Sequence, residues 1–299
     1  MTGWPDRPLL DLSTVDLDGA GRVTYLLRQG FRYDYDGPAY DLRQRIVAVP
    51  RERHGSFVRR AHRVAVSVPG RSDARADRHG NLVLRFRLPV VPSSVEFEVA
   101  AVVERVGPAA AEVLPAAALS DPRHLLPTRL TRPDGALRAL AARLRAQAAD
   151  AEEFAHLGCA RVREAVRYRH DTTSVTTTAA EAYALGVGVC QDSAHVLLAL
   201  CRAAGVPARY VSGHLLGQAG GSHAWVEVLV ATGSGARAVA VDPSNGCVAG
   251  PRHLPVAVGR DYIDVAPVSG SYSGTASGHL TTTKNAGVTE VSGPLPCPA

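Results

Sequence analysis

The amino-acid sequence predicts an α+β protein in which a mostly β first region is followed by helices that lead into a second set of strands. Two observations carry this. Through roughly the first third, short runs rich in β-branched and aromatic residues are separated by turn-forming residues at a spacing suited to a sandwich. Beyond a Pro- and Ala-rich stretch, Gly107 to Pro127, apolar residues recur at helical spacing instead, and three further strand-like runs follow.

Taken in order, Arg22 to Tyr33 is the first strand, and Asp34-Tyr-Asp-Gly-Pro38 supplies the turn chemistry that closes it. Gln44–Val49, His62–Val68, Leu82–Leu88 and Val95–Val103 are the next strands, with Arg78-His-Gly-Asn81 as a hairpin turn. Asp134–Ala149 carries Leu137, Leu140 and Leu144 on one helical face, and Glu152–Arg169 carries Val162, Ala165 and Val166. Cys190–Ala204 is apolar nearly all round, so it should be a buried central helix, stopped by Gly205-Val-Pro207. Strands are expected at Ala208–Gly213, His223–Val230 and Ala236–Asp242. The Ser-, Thr- and Gly-rich tail is expected to be mostly disordered. The expected organisation is an extension over residues 1–21, a β-rich domain over 22–110, a linker over 111–132, a core over 133–268 and the tail over 269–299.

Composition excludes several classes of function. Of the 299 residues, 46% are hydrophobic and 20% charged, which is the balance of a folded chain. The net charge of +5 comes from arginines scattered among acids, with Lys284 the single lysine. With no basic run and no aromatic stacking motif, a nucleic-acid partner is not expected. No apolar run reaches the length of a membrane span, and Met1 to Leu10 lacks the apolar segment of a secretory signal. The cysteines, Cys159, Cys190, Cys201, Cys247 and Cys297, contain no Cys-x-x-Cys pair, which argues against a disulfide framework or a zinc site. A reducing cytoplasm without a bound cofactor or metal is the expectation.

Chemistry concentrates at three places. In Gly186-Val-Gly-Val-Cys190, a glycine-rich turn runs into the buried helix, whose N-terminus favours a thiolate. His223 opens a strand in which His223, Trp225 and Glu227 share one face and Ala224, Val226, Val228 and Val230 the other. The second set is a core face, so the first should look into a cleft or solvent. Asp242 ends the next strand, immediately before Pro243. A thiol, an imidazole and a carboxylate can make a nucleophile, its base and the group that orients the base. Cys201, deep in the same helix, reads as core. His195, five residues after Cys190, points to a different azimuth and reads as packing or hydrogen bonding. Asp192 complements the helix dipole and should point away from Cys190.

These residues also carry a resemblance. Gly188-Val-Cys-Gln-Asp192 with Ala194-His195, Pro207-Ala-Arg-Tyr-Val-Ser-Gly213, His223-Ala-Trp-Val-Glu-Val228 and Asp242-Pro-Ser-Asn245 resemble the papain-like core of the transglutaminase-like superfamily. Arg28 to Pro50 and Val256 to Val268 resemble the flanking regions of bacterial members with a β-rich N-terminal domain. The resemblance implies a Cys helix on an antiparallel sheet, with Cys190 as nucleophile, His223 as general base and acid, and Asp242 as the orienter of His223. The chain departs from the family at residues 229–238, where an aromatic hairpin is usual, at Ser193, where an aromatic is common, and at His214, where tyrosine is frequent. Those departures bear on substrate shape. The oxyanion donor expected first is the Cys190 N–H, with Gln191 and Trp225 as further candidates.

The sequence therefore predicts a cysteine acyl-transfer enzyme acting on a peptide, protein or glutamine-type amide. Hydrolysis is preferred over amine transfer, because water is the default acceptor in an open cleft. The competing expectation is a binding or scaffold protein that keeps the fold without turnover. A zinc site built from Cys190, His195 and His223 fails on ligand spacing.

Overall fold

The structure is a computed structural model that describes residues 8–107, 110–218 and 221–294. The first seven residues of the expected extension and the last five of the tail, Cys297 among them, lie outside the described residues. In chain order the first region contains β1 (Ala20–Tyr35), β2 (Ala39–Ile46), β3 (Arg53–His54), β4 (Phe57–Val66), β5 (Arg71–Ala76), β6 (Leu82–Val91) and β7 (Ser94–Val106). Next come β8 (Val113–Leu114), α1 (Pro122–Leu125), α2 (Gly135–Gln147), α3 (Ala151–Ala165), β9 (Arg167–Tyr168), α4 (Ala179–Leu185), β10 (Val187–Gly188) and α5 (Cys190–Ala203). The remaining elements are β11 (Ala208–Leu215), β12 (His223–Thr232), β13 (Gly235–Asp242), β14 (Cys247–Val248), β15 (His253–Gly259), α6 (Tyr262–Val265), β16 (Val268–Ser273) and β17 (Gly278–Pro294).

The first region is a sandwich of two antiparallel sheets, ordered β17-β1-β7-β4-β3 and β16-β2-β6-β5. Phe31, Leu42, Ile46, Phe86, Leu88 and Phe97 fill the space between them. β1 is long because one face serves two cores. Phe31 and Tyr35 enter the sandwich, whereas Val23, Tyr25 and Leu27, on the same parity, join the core of the second region.

The second region centres on an antiparallel sheet ordered β14-β13-β12-β11-β15, with β8 also paired to β13. The all-apolar character of α5 is explained by its neighbours. It lies on β11 and β12 and under α2, α3 and α4. Its Val196, Leu197, Leu198, Leu200 and Cys201 are fully buried beside Ala224, Val226 and Val228. This is the Cys helix on an antiparallel sheet that the sequence predicts. Among the described residues, no helix is long and apolar enough to cross a membrane.

Three parts of the chain differ from the sequence-based expectation. The tail is not disordered through residue 294: β16 pairs with β2, and β17 pairs with β1 along most of its length, from Ala20↔Pro294 to Tyr35↔Gly278. Its threonines and valines are strand formers, and an unpaired β1 edge gives them backbone partners. The stretch after Gly107 is likewise structured, with β8 as an edge strand and α1 capped by Asp121, whose side chain accepts from the Arg123 N–H. The second helix stops at Ala165 rather than continuing to Arg169, because Arg167 and Tyr168 pair in parallel with Val187 and Gly188.

Candidate active site

The short β9–β10 pairing places the turn that carries Cys190. The Arg169 N–H donates to the Gly188 carbonyl at 2.8 Å, and a Cβ on Gly188 would meet the Asp192 side chain at 2.7 Å. That position therefore tolerates only glycine without displacement of Asp192. The Asp192 carboxylate reaches back to accept the Val189 N–H at 2.8 Å and also accepts the Thr173 hydroxyl at 2.7 Å. Asp192 thus caps the helix start and ties the 169–178 loop to it. Burial raises its pKa despite these bonds. Cys190, half-buried, is the first residue of α5, so its N–H has no acceptor within the helix.

His223 begins β12 and Asp242 ends β13, and the antiparallel register brings the two strand ends together. His223 Nε2 lies 2.7 Å from Asp242 Oδ2. The Cys190 thiol stands close enough to the same imidazole to act on it electrostatically. Burial alone would lower the His223 pKa, but the Asp242 contact and the neighbouring Cys190 outweigh it and raise it to about 9. Asp242 is fully buried. Burial pushes its carboxyl up, yet hydrogen bonds from His223 and His253 hold it well below the usual carboxylate range. Its Oδ1 accepts the Ser244 N–H at 2.9 Å and the Asn245 N–H at 3.2 Å; Oδ2 also accepts Asn245 Nδ2 at 2.7 Å. The turn that sequence alone would read as a bland Asp-Pro-Ser-Asn corner is a cradle for this carboxylate.

The structure brings Cys190, His223 and Asp242 together and leaves the two further oxyanion candidates elsewhere. The Gln191 side-chain amide is directed to the Val175 carbonyl at 3.4 Å. Trp225, 2% exposed, lies behind the imidazole, with ring centroids 6.2 Å apart. Its ring occupies space that opens because position 213 is glycine: a Cβ there would sit 2.5 Å from the indole and 2.3 Å from the Leu254 carbonyl. Cys201 is fully buried, and burial pushes its thiol up to about 12. His195 Nε2 accepts the Tyr262 N–H at 3.2 Å inside the core, and burial lowers its pKa to about 3.

The face bearing His223, Trp225 and Glu227 is not solvent-exposed; as the parity argument allows, Trp225 and Glu227 look into a cleft. All three residues are buried, because the sandwich and the stretch before β8 cover the side of the sheet opposite α5. Glu227 accepts Arg209 Nε at 2.7 Å and lies 2.6 Å from His54 Nε2. Glu112 pairs with Arg51 at 2.9 Å and also with Arg209. Residues of β3, the stretch before β8, β11 and β12 thus share one buried charge cluster. Its His54, Glu112 and Glu227 line a cavity of about 280 Å³ together with Phe57, His156 and His253.

Among the described residues, two groups of donor atoms lie close enough to hold a cation: His223, Asp242 and His253, and His54, Glu112 and Glu227. In the first, the imidazole nitrogens already face the carboxylate at hydrogen-bonding distance. In the second, Arg51 and Arg209 already neutralise the carboxylates. In the first set an ion would have to replace the hydrogen bonds that hold the imidazoles on the carboxylate, and in the second it would meet the Arg51 and Arg209 guanidiniums, so neither donor set fits one. Two neighbours of the site escaped the sequence reading. His253 contacts Asp242, and half-exposed Tyr168, ring edge-on to His170 at 5.1 Å, stands beside Cys190. Alternating Leu254, Val256 and Val258 could have marked β15, and hence His253 at its start.

Comparison with known proteins bears on the family and the fold. Residues 138–243 match the family model of the transglutaminase-like superfamily core, and residues 25–104 match that of the bacterial transglutaminase-like N-terminal region. A solved structure of a candidate cysteine protease from Cytophaga hutchinsonii superimposes with a TM-score of 0.73 at 20% identity, covering 93% of this chain and 94% of that one. An uncharacterised protein of Mycobacterium leprae is 39% identical over 127 residues, which is 40% of this chain and 44% of that protein. One of Mycobacterium tuberculosis is 34% identical over 114 residues, 34% of this chain and 36% of that protein. The chain spans less than half the length of the curated relatives it matches.

Proposed function

The chain belongs to the transglutaminase-like superfamily, with a bacterial transglutaminase-like N-terminal region, and from that premise we propose that it is a cysteine-dependent acyl-transfer enzyme acting on peptide or glutamine-type amides. The observation that carries the reading is the His223 imidazole held between the Cys190 thiol and the buried Asp242 carboxylate. Cys190 Sγ attacks the amide carbonyl, and the oxyanion forms near the free N–H at the start of α5. The C–N bond breaks as His223 gives its proton to the leaving amine, leaving a thioester on Cys190. His223, now unprotonated, takes a proton from water as the water attacks the thioester. The acid is released and the thiol–imidazole pair restored. Asp242 keeps the ring oriented and stabilises its protonated form.

Hydrolysis is preferred to amine transfer because water needs no second binding site, whereas an amine acceptor does. The single lysine is also a poor amine donor for self-cross-linking. Lys284 is part of β17, half-buried, with its Nζ donating to the Gly221 carbonyl at 2.9 Å. The scaffold alternative has no observation in its favour, since sulfur, imidazole and carboxylate stand in reacting order.

The test incubates wild type and Cys190→Ala with a glutamine-containing peptide, with and without a primary amine, and follows enzyme and peptide by intact mass. A transient covalent adduct on wild type is expected. Conversion of glutamine to glutamate or cleavage of the peptide indicates hydrolysis, and incorporation of the amine indicates transfer. Turnover that persists in Cys190→Ala refutes the assignment.

A further inference from the structure

The carboxylate that orients His223 has a second histidine on it. We propose that His253 is a fourth, positioning member of the site, and that through it the N-terminal sandwich steadies the reacting groups. This rests on the function proposed above.

His253 Nε2 lies 3.1 Å from Asp242 Oδ2, the same oxygen that receives His223. Which ring nitrogen carries the proton follows from the other side of the ring. The Gly250 N–H donates to His253 Nδ1 at 3.1 Å, so Nδ1 is the acceptor and Nε2–H the donor to Asp242. The His253 N–H in turn donates to the Gly250 carbonyl at 2.9 Å, which locks the turn. The Trp225 ring stands edge-on to the imidazole at 5.3 Å and 78°. With its side chain 7% exposed, His253 has little freedom to rotate.

This arrangement acts on the reaction through Asp242. Oδ1 is tethered only by backbone N–H groups of the following turn, whereas Oδ2 is placed by His253 and Asn245. A donor fixed at His253 Nε2 keeps Oδ2 aimed at His223 Nε2. That leaves His223 Nδ1 as the nitrogen that exchanges protons with Cys190.

The same turn is held by the sandwich. The fully buried Tyr25, on β1, donates its hydroxyl to the Pro251 carbonyl at 3.0 Å, between Gly250 and His253. A continuous line of contacts runs from Tyr25 through Pro251 and His253 to Asp242, His223 and Cys190.

Two substitutions separate positioning from packing. His253→Asn retains an oxygen where Nδ1 was, so the Gly250 contact survives, but its amide stops short of Asp242. His253→Gln places an N–H donor near the Nε2 position and gives up the Gly250 contact. The readout is the rate of Cys190 alkylation by iodoacetamide across pH, with Cys190→Ala as the blank. Amide turnover is measured alongside, and Tm serves as the control for folding. The Asn variant should lose about tenfold or more in plateau rate and displace the alkaline limb of the profile, while the Gln variant stays within about threefold of wild type. The reverse order, or an Asn variant with the wild-type profile, overturns the proposal. Tyr25→Phe, which removes one oxygen and leaves His253 intact, should lower the plateau by about threefold. An unchanged plateau there removes the sandwich from the line of contacts. His223→Ala is included because alkylation unaffected by it would sink the acyl-transfer reading itself, independently of His253.

Discussion

Replacing Arg209 with methionine tests whether the buried charge cluster fastens the sandwich to the catalytic sheet. Arg209 is 4% exposed, and its guanidinium contacts Glu227 at 2.5 and 2.7 Å as well as Glu112. Methionine fills much of the same volume but leaves two buried carboxylates sharing Arg51 and His54. Removing one partner of a buried ion pair costs about 3–5 kcal/mol, because the remaining charge stays desolvated. Here Glu112 retains Arg51 and Glu227 retains His54, so the lower end, about 3 kcal/mol, is expected. In a chain of this size that corresponds to a fall of roughly 5 °C in Tm, read by circular dichroism or calorimetry. Arg209→Lys, which keeps the charge but cannot bridge two carboxylates, should fall between. Arg209→Met combined with Glu227→Leu should recover part of the loss, since the isolated charge is removed with its partner. The loss should also be nearly independent of salt, because screening acts weakly on buried pairs. A Tm within 1 °C of wild type for Arg209→Met, on the scale set by that bookkeeping, refutes the reasoning.

Further expectations concern the site itself. Amide turnover should fall as pH rises through about 9, where His223 loses the proton it gives to the leaving amine; a flat profile across pH 8–10 would remove His223 as the acid. Because the folded pKa of His223 is raised above its ordinary 6.5, its contribution to stability is fully present below 6.5 and is lost as pH rises to about 9. This is read as declining Tm over that window in wild type and a smaller decline in His223→Ala. Gly213→Ala should cost about 1–3 kcal/mol by forcing the Trp225 ring and the Leu254 carbonyl apart, and should also slow turnover, since that ring backs His223. Asp192→Ala removes the acceptor of the Val189 N–H and the Thr173 hydroxyl, for an expected loss of about 1–2 kcal/mol by thermal unfolding, together with slower alkylation of Cys190.

The three residues that the structure brings together at the candidate site were legible in the sequence because each sits where a regular element begins or ends, and those ends are marked by glycine, proline and a change of period. The burial of the helix behind Cys190 was legible for the same reason: an all-apolar helix has only one environment open to it. Strand parity correctly separated Ala224, Val226 and Val228 from His223, Trp225 and Glu227 but left open whether the second set looks into a cleft or solvent, and the structure gives Trp225 and Glu227 a cleft. A glutamate on a strand reads as outward-facing unless its counter-charges are known. For Glu227 the counter-charge comes from Arg209, one strand away, and a further hydrogen-bond partner from His54, 173 residues distant in sequence. The ordered tail was missed because threonine counts both as a loop former and as a strand former, and only an available edge decides between them.

The same limit explains why the sequence could place His253 at a strand start but not assign its role, and it bears on what the N-terminal region does. A lone histidine before Leu-Pro-Val-Ala-Val has no local signature of function. Its role depends on β15 lying beside β11, which returns residue 253 to the end of the sheet where β13 delivers Asp242. Once that register exists, the carboxylate is enclosed on every side. Its own turn holds Oδ1, His223 and His253 converge on Oδ2, and Tyr25 of the sandwich grips the turn behind them. A buried carboxylate with so many donors is costly to move and therefore fixes the imidazole that faces Cys190. Detaching the sandwich should accordingly loosen the site before it unfolds the sheet, so the N-terminal region belongs to the structure that orients the reacting groups.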